Sequence, residues 1–198
     1  MELEELLLQS TKNDRKAHYL LFKKVFPIIY LVCKRYYSND QDIKSSVNMI
    51  FLKILTNLDS FIKSKKEIKT FDFWISRIAV NYIIDEYRKN KKYRESILLT
   101  SEYQNYNNHE EEFNLEKDLS SDVLDALHKI PSLSRTIFVM HTIDGFMHKE
   151  IAEKLQINEN TCRVHYRNAK IKLKELLVKN RIVAVLVFLI IFLFEYQK

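Results

Sequence analysis

Apolar side chains recur at intervals of three and four residues along most of the chain, which is the spacing of helices with one buried face. In the first half, this spacing predicts three helices that pack as a three- or four-helix bundle. Asn13 or Asp14 can cap the first helix, which runs towards Tyr37. The second helix is capped by Asp42, and the third begins near Thr70.

Pro27 interrupts the pattern of the first predicted helix. A proline removes one backbone donor, and its ring clashes with the preceding turn of a helix. We therefore expect the first helix to be kinked or divided at this residue.

The second half of the chain predicts four shorter helices. Their expected bounds are 120 or 121 to 130, 132–142, 148–155, and 159 or 160 to about 177. Asp144 and Gly145 form a turn between the second and the third, and residues 156–158 form a corner before the last.

The composition limits the possible fold classes. The chain has 198 residues, with one glycine and two prolines. Sandwiches and barrels need turn residues at short intervals, and loops that cradle phosphate need clustered glycines. The sequence therefore excludes a turn-rich β fold and a glycine-rich nucleotide loop, and it predicts an all-α protein with two small helical domains.

Charge is distributed unevenly and marks the expected boundaries. A basic run at 88–94 precedes an acidic stretch at 101–122 that has little apolar periodicity and is typical of a linker. We predict a first helical domain at 1–95, an acidic linker at 96–121, a helix-turn-helix domain at 122–178 and an apolar tail at 179–198.

The overall charge favours a polyanionic partner. The chain has 32 Lys and Arg against 26 Asp and Glu, a formal net charge of +6, which suits nucleic acid or an anionic membrane surface. The N-terminus lacks the pattern of a signal peptide, and Cys33 and Cys162 lie far apart in the sequence. Both features fit the reducing cytoplasm.

The segment 149–173 has the layout of a helix-turn-helix. Ile157 fills the corner, and Ala152 and Ala169 are small enough for the two helices to cross closely. The second helix would bury residues spaced four, three and four apart: Cys162, Tyr166, Ala169 and Leu173. The corner has Gln156 where glycine is usual, and a non-glycine residue at positive φ costs about 1 kcal/mol.

The opposite side of that second helix carries a row of cations: Arg163, Arg167, Lys170 and Lys174. Such a row suits a helix laid in the major groove of DNA, whose first turns read base edges and whose later cations meet phosphates. A solvated basic face on an ordinary helix is the alternative interpretation.

The segment 71–88 fills every fixed position of the pattern W-x-x-x-I-A-x-N-x-x-x-D-x-x-R, from Trp74 to Arg88, and a basic run follows it. This pattern is characteristic of the promoter-reading helix of the extracytoplasmic-function (ECF) sigma factors of bacterial RNA polymerase, which the chain resembles. The segment 127–176 is similar to the second domain of the same family, including its Ile130-Pro131 step.

The resemblance implies a dissociable initiation subunit whose partners are bacterial core RNA polymerase, promoter DNA and an anti-sigma factor. It implies that Asn81 and Asp85 lie near an extruded base of the minus-ten element, and that Arg88 and Lys89 contact phosphates. In the second domain it implies the following contacts with the minus-thirty-five element: Thr161, Arg163, His165, Arg167 and Lys170.

The polymerase-binding helix of the family is matched at Asp42, Val47, Phe51, Leu52 and Lys53. The family usually carries an acidic pair and a Gln-Glu step before the Phe-Leu step. Here those positions hold Lys44, Ser45, Asn48 and Met49. The resemblance then implies either a weaker polymerase contact or one that depends on Asp42, Asn48, Phe51 and an apolar ridge.

The tail contains an uninterrupted apolar run at 182–194, which begins with Ile182 and ends with Phe194. As a helix this run would be about 20 Å long, shorter than the roughly 30 Å hydrocarbon core of a bilayer. Lys179 and Arg181 precede it, as suits a tail entering the membrane from the cytoplasm. Tethering to the inner face of the cell membrane and packing against the chain or a partner both remain open.

Three other functions are alternatives to the sigma-factor interpretation: an enzyme, a stand-alone DNA-binding regulator and a membrane-tethered adaptor. The six histidines show no metal-site spacing and no serine or cysteine lies at a recognisable nucleophile elbow, so we expect no enzyme, metal site or cofactor. A helix-turn-helix regulator acting without polymerase would leave the segment 74–88 without a role. A membrane-tethered adaptor would use the basic faces to contact lipid instead of DNA.

Overall fold

The computed structural model describes residues 2–64, 68–98 and 119–179. Every regular element in these ranges is helical, which confirms the all-α prediction. The chain divides into two compact units, residues 1–106 and 107–198.

The described part of the first unit contains α1 (Leu3–Thr11), α2 (Arg15–Tyr36), α3 (Asp40–Lys63), a 3-10 turn (Ile68–Thr70) and α4 (Phe71–Leu98). Helix α2 packs against α1, α3 and α4, and α3 also packs against α1 and α4. The core consists of fully buried side chains on the predicted apolar faces, among them Leu21, Ile29, Ile50, Ile54, Leu58 and Ile75.

The start of α2 is as expected, since Asp14 caps it by accepting hydrogen bonds from the amides of Lys16 and Ala17. The cap of α3 was predicted wrongly. Asn39, not Asp42, caps this helix, because the Asn39 carboxamide accepts a hydrogen bond from the amide of Gln41 at 2.8 Å. Asp42 instead lies within the first turn, where the helix dipole favours an acid.

Two further differences between the prediction and the structure concern Pro27 and the first helix of the chain. Pro27 does not divide α2, which continues from Arg15 to Tyr36. The buried residues Val25 and Ile29 hold both sides of the proline to the core, and the exposed position lets water serve the carbonyl that loses its donor. Helix α1 was not predicted, although four of its nine residues are leucine and it buries Leu6 and Leu7.

The described part of the second unit contains α5 (Leu119–His128), α6 (Ser132–Thr142), α7 (His148–Leu155) and α8 (Glu159–Lys179). These bounds confirm the predicted helices, and α6 and α7 match residue for residue. Helix α8 packs against α5, α6 and α7, and it buries Cys162, Ala169, Leu173 and Leu177.

The corner between α7 and α8 is a left-handed turn at Gln156, with φ 53° and ψ 51°. The amide of Ile157 donates to the carbonyl of Ala152 at 3.0 Å, which closes the end of α7. Asn158 then accepts a hydrogen bond from the amide of Asn160 at 2.8 Å and opens α8. The helix-turn-helix therefore forms without the usual glycine.

None of the described helices is long and apolar enough to cross a membrane. The apolar run at 182–194 and most of the predicted acidic linker lie outside the described residues, so their predictions stay as stated.

Candidate nucleic-acid interfaces

Helices α3 and α4 form a surface with two adjoining depressions. We call it the α3–α4 surface, and its residues are Lys53 and Asn57 of α3 with Trp74, Ile78, Asn81, Tyr82, Asp85, Glu86, Arg88 and Lys89 of α4. Lys53 and Tyr82 line both depressions, so these lie side by side.

The smaller depression has a volume of about 180 Å³. Trp74 and Ile78 are half-buried and give it an apolar wall, while Asn57 and Asn81 are exposed and supply amide groups. Trp74 is fixed from behind by Phe61 and Phe71, whose ring centroids lie 4.8 and 5.6 Å away. This depression combines a rigid aromatic wall with polar groups able to recognise a base edge.

The larger depression, about 360 Å³, is lined by charged side chains. Two pairs of opposite charge lie on α4: Arg88 with Asp85 at 3.8 Å and Lys89 with Glu86 at 2.7 Å. The hydrogen bond from Lys89 to Glu86 raises the pKa of the Lys89 ammonium. With Lys53 added, the three cations outnumber the two carboxylates, so the surface carries a positive excess suited to a phosphate backbone.

Tyr82 connects this surface to the interior of the unit. Its side chain is only 8% exposed, and the Lys53 ammonium lies 5.7 Å from the ring centroid. Burial raises the pKa of Tyr82, and it raises that of the neighbouring Tyr37 to about 12. Both phenols therefore stay neutral near pH 7. The floor of the depressions is thus part of the packed core.

The residues predicted for the minus-ten element all lie on this one surface. Asn81 lines the smaller depression, and Asp85, Arg88 and Lys89 line the larger. Asn57, Tyr82 and Glu86 were not predicted to take part in this surface, and Lys53 was predicted to belong to the polymerase-binding helix. The packing of α3 on α4 brings Lys53 and Asn57 to the same surface as Asn81.

The residues predicted for polymerase binding lie on α3. Asp42 and Asn48 are exposed, and the half-buried Phe51 packs edge-on against Phe22 of α2, with ring centroids 5.0 Å apart. Phe22 begins an aromatic row along α2 that continues through Phe26 and Tyr30 with centroid spacings of 5.6 Å.

Exposed apolar side chains accompany this aromatic row. Phe26 is 39% exposed, Met49 46% and Leu52 53%. We call Phe22, Phe26, Tyr30, Met49, Phe51 and Leu52 the α2–α3 ridge.

Helix α8 presents the second cationic surface. Thr161, Arg163 and Arg167 are exposed, and Lys170 is half-buried, with its ammonium 5.7 Å from the centroid of the Tyr166 ring. Arg163 forms an ion pair with Glu159 one turn earlier, at 2.6 Å. The exposed residues Val164 and Asn168 lie beside these cations and were not predicted, because neither the cationic spacing nor the family resemblance indicates them.

His165 differs from the other residues predicted for the minus-thirty-five element. Its ring is half-buried, and its Nδ1 forms a hydrogen bond of 2.9 Å with the hydroxyl of Ser134 on α6. The structure thus brings Thr161, Arg163 and Arg167 together on the exposed side of α8 and ties His165 to the packed side.

A cluster of histidine and aromatic rings packs α8 against α6 and α7. The rings of His141 and His148 stack with centroids 4.1 Å apart, and both meet the edge or face of Tyr166. The His148 ring also contacts the thiol of Cys162 at 3.7 Å. This cluster joins α6, α7 and α8. Among the described residues, no group of three or more His, Cys, Asp and Glu side chains could hold a metal ion.

Two family models match the chain. Sigma-70 region 2 matches residues 21–93, which include α3 and the predicted minus-ten residues of α4, and sigma-70 region 4 matches residues 120–173, which include the helix-turn-helix. Each match therefore covers one of the two units that carry the surfaces above.

Individual proteins agree with these matches. The chain is 31% identical to RNA polymerase sigma factor SigZ of Bacillus subtilis over 140 residues, which are 70% of this chain and 75% of the relative. It is 25% identical to the ECF RNA polymerase sigma factor SigW of Bacillus subtilis over 184 residues, 88% of this chain and 96% of the relative.

Among solved structures, the sigma factor RpoE in complex with the anti-sigma factor NepR from Bartonella quintana matches with a TM-score of 0.45 and 18% identity, over 80% of this chain and 95% of that one. The 31% identity to SigZ over three quarters of its length and the two sigma-70 regions in order together establish the family. The chain belongs to the ECF sigma factors, which bind bacterial core RNA polymerase and direct promoter-specific transcription initiation.

Proposed function

We propose that the three surfaces divide the work of initiation within this sigma factor. The α3–α4 surface binds the opened minus-ten element, the exposed side of α8 binds the minus-thirty-five element as duplex, and the α2–α3 ridge binds core polymerase. The observation that carries the proposal is the clustering of Asn81, Asp85, Arg88 and Lys89 at two adjoining depressions.

The geometry of the smaller depression suits an extruded base. A flipped base needs an apolar wall for its ring and polar partners for its edge, and Trp74 and Asn81 supply these. Asp85 in the larger depression can accept a hydrogen bond from a neighbouring base. Arg88 and Lys89 can exchange their carboxylate partners for the phosphates of the separated strand.

The geometry of α8 suits a duplex. Thr161 and Arg163 lie in its first two turns and can reach base edges in the major groove, while Arg167 and Lys170 follow along the backbone. Glu159 holds the Arg163 guanidinium by an ion pair that DNA can replace. We assign His165 a positioning role, since its hydrogen bond to Ser134 fastens α8 to α6.

The α2–α3 ridge suits a protein partner. It exposes Phe26, Met49 and Leu52, flanked by the polar residues Asp42 and Asn48 on α3. Exposed apolar side chains rimmed by polar ones mark interaction sites, and aromatic residues and Met are enriched in such patches. The ridge would offset the acids that this chain lacks at positions 44, 45 and 49. An anti-sigma factor would act by covering the same ridge.

We propose the domain bounds 1–95, 96–121, 122–178 and 179–198 for these roles, with 96–121 as the connection between them. The chain would have no catalytic activity of its own, since the polymerase performs the chemistry.

We place it in the cytoplasm with the polymerase, with the apolar run 182–194 in contact with the inner face of the membrane. Full-length protein should then float with anionic phospholipid vesicles, and Leu189→Glu should remove this flotation.

The test of the central assignment is promoter opening by reconstituted holoenzyme. Promoters are first selected from a genomic DNA library with the wild-type chain and core polymerase. Asn81→Ala should abolish opening, measured as permanganate reactivity of unpaired thymines, and leave duplex binding nearly intact. Asn90→Ala is the matched control, because Asn90 is an exposed asparagine of the same helix that does not line either depression.

Normal opening with Asn81→Ala would refute the minus-ten assignment. Equal loss with Asn90→Ala would refute it too, since the effect would then belong to α4 as a whole. A stand-alone regulator is not favoured, because it leaves the region 2 match at 21–93 without a role.

A further inference from the structure

Asn57 is a polar residue of the smaller depression to which the family resemblance gives no role. It lies on α3, while Asn81 lines the same depression from α4. Its side chain is exposed, so a ligand in the depression can reach it.

The orientation of the Asn57 side-chain amide is fixed by its own helix. The amide nitrogen donates a hydrogen bond to the backbone carbonyl of Lys53 at 2.8 Å, and a longer one of 3.4 Å to the hydroxyl of Thr56. The reverse orientation would set the amide oxygen against the Lys53 carbonyl oxygen, which is repulsive. No described residue donates a hydrogen bond to the Asn57 Oδ1, which therefore offers the depression an acceptor.

The size of the depression favours a single ring. Its volume is about 180 Å³. An apolar cavity of about 150 Å³ already holds benzene. One six-membered ring with its substituents therefore fits against Trp74 and Ile78, which is the size of a pyrimidine.

We propose that Asn57 is a specificity-determining residue that selects cytosine over thymine in this depression. Its Oδ1 accepts a hydrogen bond from the exocyclic amine of an extruded cytosine. Thymine and uracil carry a carbonyl oxygen at that position, so two acceptors would face each other and both would lose their water. The inference rests on the proposed minus-ten role of the α3–α4 surface.

The experiment uses the full-length chain bound to purified bacterial core polymerase. The probes are fluorescein-labelled single-stranded DNA decamers of thymidine with one central position varied among cytidine, thymidine and deoxyuridine. The cytidine decamer should bind about fivefold more tightly than the other two, the usual worth of one neutral hydrogen bond. Deoxyuridine lacks the methyl group of thymidine, so it separates recognition of the amine from exclusion of the methyl.

Two variants assign the preference to Asn57. Asn57→Ala should bind the three decamers equally, because the acceptor is gone. Asn57→Asp keeps an acceptor and should keep the ratio between decamers, although its negative charge lowers all three affinities. Asn90→Ala should leave both the ratio and the affinities unchanged.

Each other outcome has a defined meaning. Equal binding of the three decamers by the wild-type complex would overturn the inference and leave the proposed minus-ten role standing. Deoxyuridine bound as tightly as cytidine, or a preference that survives Asn57→Ala, would also overturn it. If the wild-type complex bound none of the decamers, the proposed role of the α3–α4 surface would fail with the inference.

Discussion

The α3–α4 surface and the exposed side of α8 are both rich in cations, yet they are built in opposite ways. The first is concave and lies between two helices, and its floor includes Tyr82, which is only 8% exposed. The second is the convex side of one helix, with Thr161, Arg163 and Arg167 pointing into solvent.

Recognition of DNA is therefore coupled more closely to the stability of the first unit than to that of the second. Reading one extruded base requires a shaped depression, so the residues that shape it also hold α3 against α4. Reading a groove requires only that a rigid helix present its side chains, so they can change without disturbing the core. Substitutions of the buried residues that shape the depression should therefore affect folding in the first unit, while substitutions on the exposed side of α8 should affect mainly binding.

The two buried cysteines allow the units to be followed separately. Cys33 lies in the first unit and Cys162 in the second, and both are 0% exposed. Burial raises the pKa of both thiols, that of Cys33 to about 12. Because only the exposed thiolate reacts, the rate of alkylation reports the opening of each unit.

The largest expected effect is that of Tyr82→Ala. Removing this buried ring should cost about 3 kcal/mol, which is on the order of a hundredfold in the opening equilibrium of the first unit. Alkylation of Cys33 should accelerate accordingly, while that of Cys162 stays unchanged. Equal acceleration at both cysteines would contradict the separation of the units, and no acceleration would contradict the structural role of Tyr82.

A binding effect without a stability effect is expected for Arg163→Ala. If its guanidinium meets a base edge, binding of minus-thirty-five duplex should weaken by about 1–3 kcal/mol. Fluorescence anisotropy with selected promoter duplex measures this. Lys172→Ala is the matched control, since Lys172 is also an exposed cation of α8 paired with an acid, Glu175. Equal losses for the two variants would show that only the overall charge of α8 matters.

The two left-handed turns offer a smaller comparison. Gln156 in the second unit has φ 53°, and Asn13 in the first has φ 58°. Gln156→Gly should stabilise its unit by up to about 1 kcal/mol, seen as slower alkylation of Cys162. Asn13→Gly should change the alkylation of Cys33 much less, because asparagine tolerates this conformation. Equal gains at the two sites would contradict the assigned strain at Gln156.

The smallest expected effect is a pH dependence confined to the first unit. Hydrogen bonds from the Ala17 and Lys16 amides hold the pKa of Asp14 below its ordinary value of 3.8. The cap therefore stabilises α2 above that pH and is lost as the pH falls through the lower, folded-state value. As the pH falls through this range, the free energy of unfolding of the wild type should decrease relative to that of Asp14→Asn. Unfolding followed by circular dichroism measures both values.

The second unit has a neutral counterpart of this cap. Asn158 opens α8 through its carboxamide, which does not titrate. Asn158→Ala should therefore cost the same stability at pH 6 and pH 3. A cost that grows with acidity at Asn158, or one that is constant at Asp14, would contradict this assignment of the two caps.

Much of the fold could be predicted because turn-forming residues in the sequence indicate where several helices begin and end. Pro131 precedes α6 and Gly145 lies in the turn before α7, and the bounds of both helices were predicted correctly. Asn39 was missed because several polar residues near the start of α3 can each act as a cap, and only the backbone geometry selects one. Pro27 does not divide α2, because its position is exposed, which sequence spacing does not show.

The candidate sites were predictable to a different degree. Asn81 and Arg88 followed from a linear motif on α4, and Arg163 and Arg167 from helical spacing on α8. Asn57 and Tyr82 could not be found in this way, because their contribution depends on how α3 packs against α4. The inward hydrogen bond of His165 likewise depends on Ser134, which is 31 residues away in the chain.

The most direct test of the account is binding of the full-length chain to purified core polymerase in a native gel without DNA. Leu52→Asp and Ile171→Asp make a matched pair, since the two side chains are 53% and 52% exposed and lie on the α2–α3 ridge and on α8, respectively. The account predicts a one-to-one complex for wild type and Ile171→Asp, and about tenfold weaker binding for Leu52→Asp. A folded wild-type chain that forms no complex, or equal binding by both variants, would contradict it.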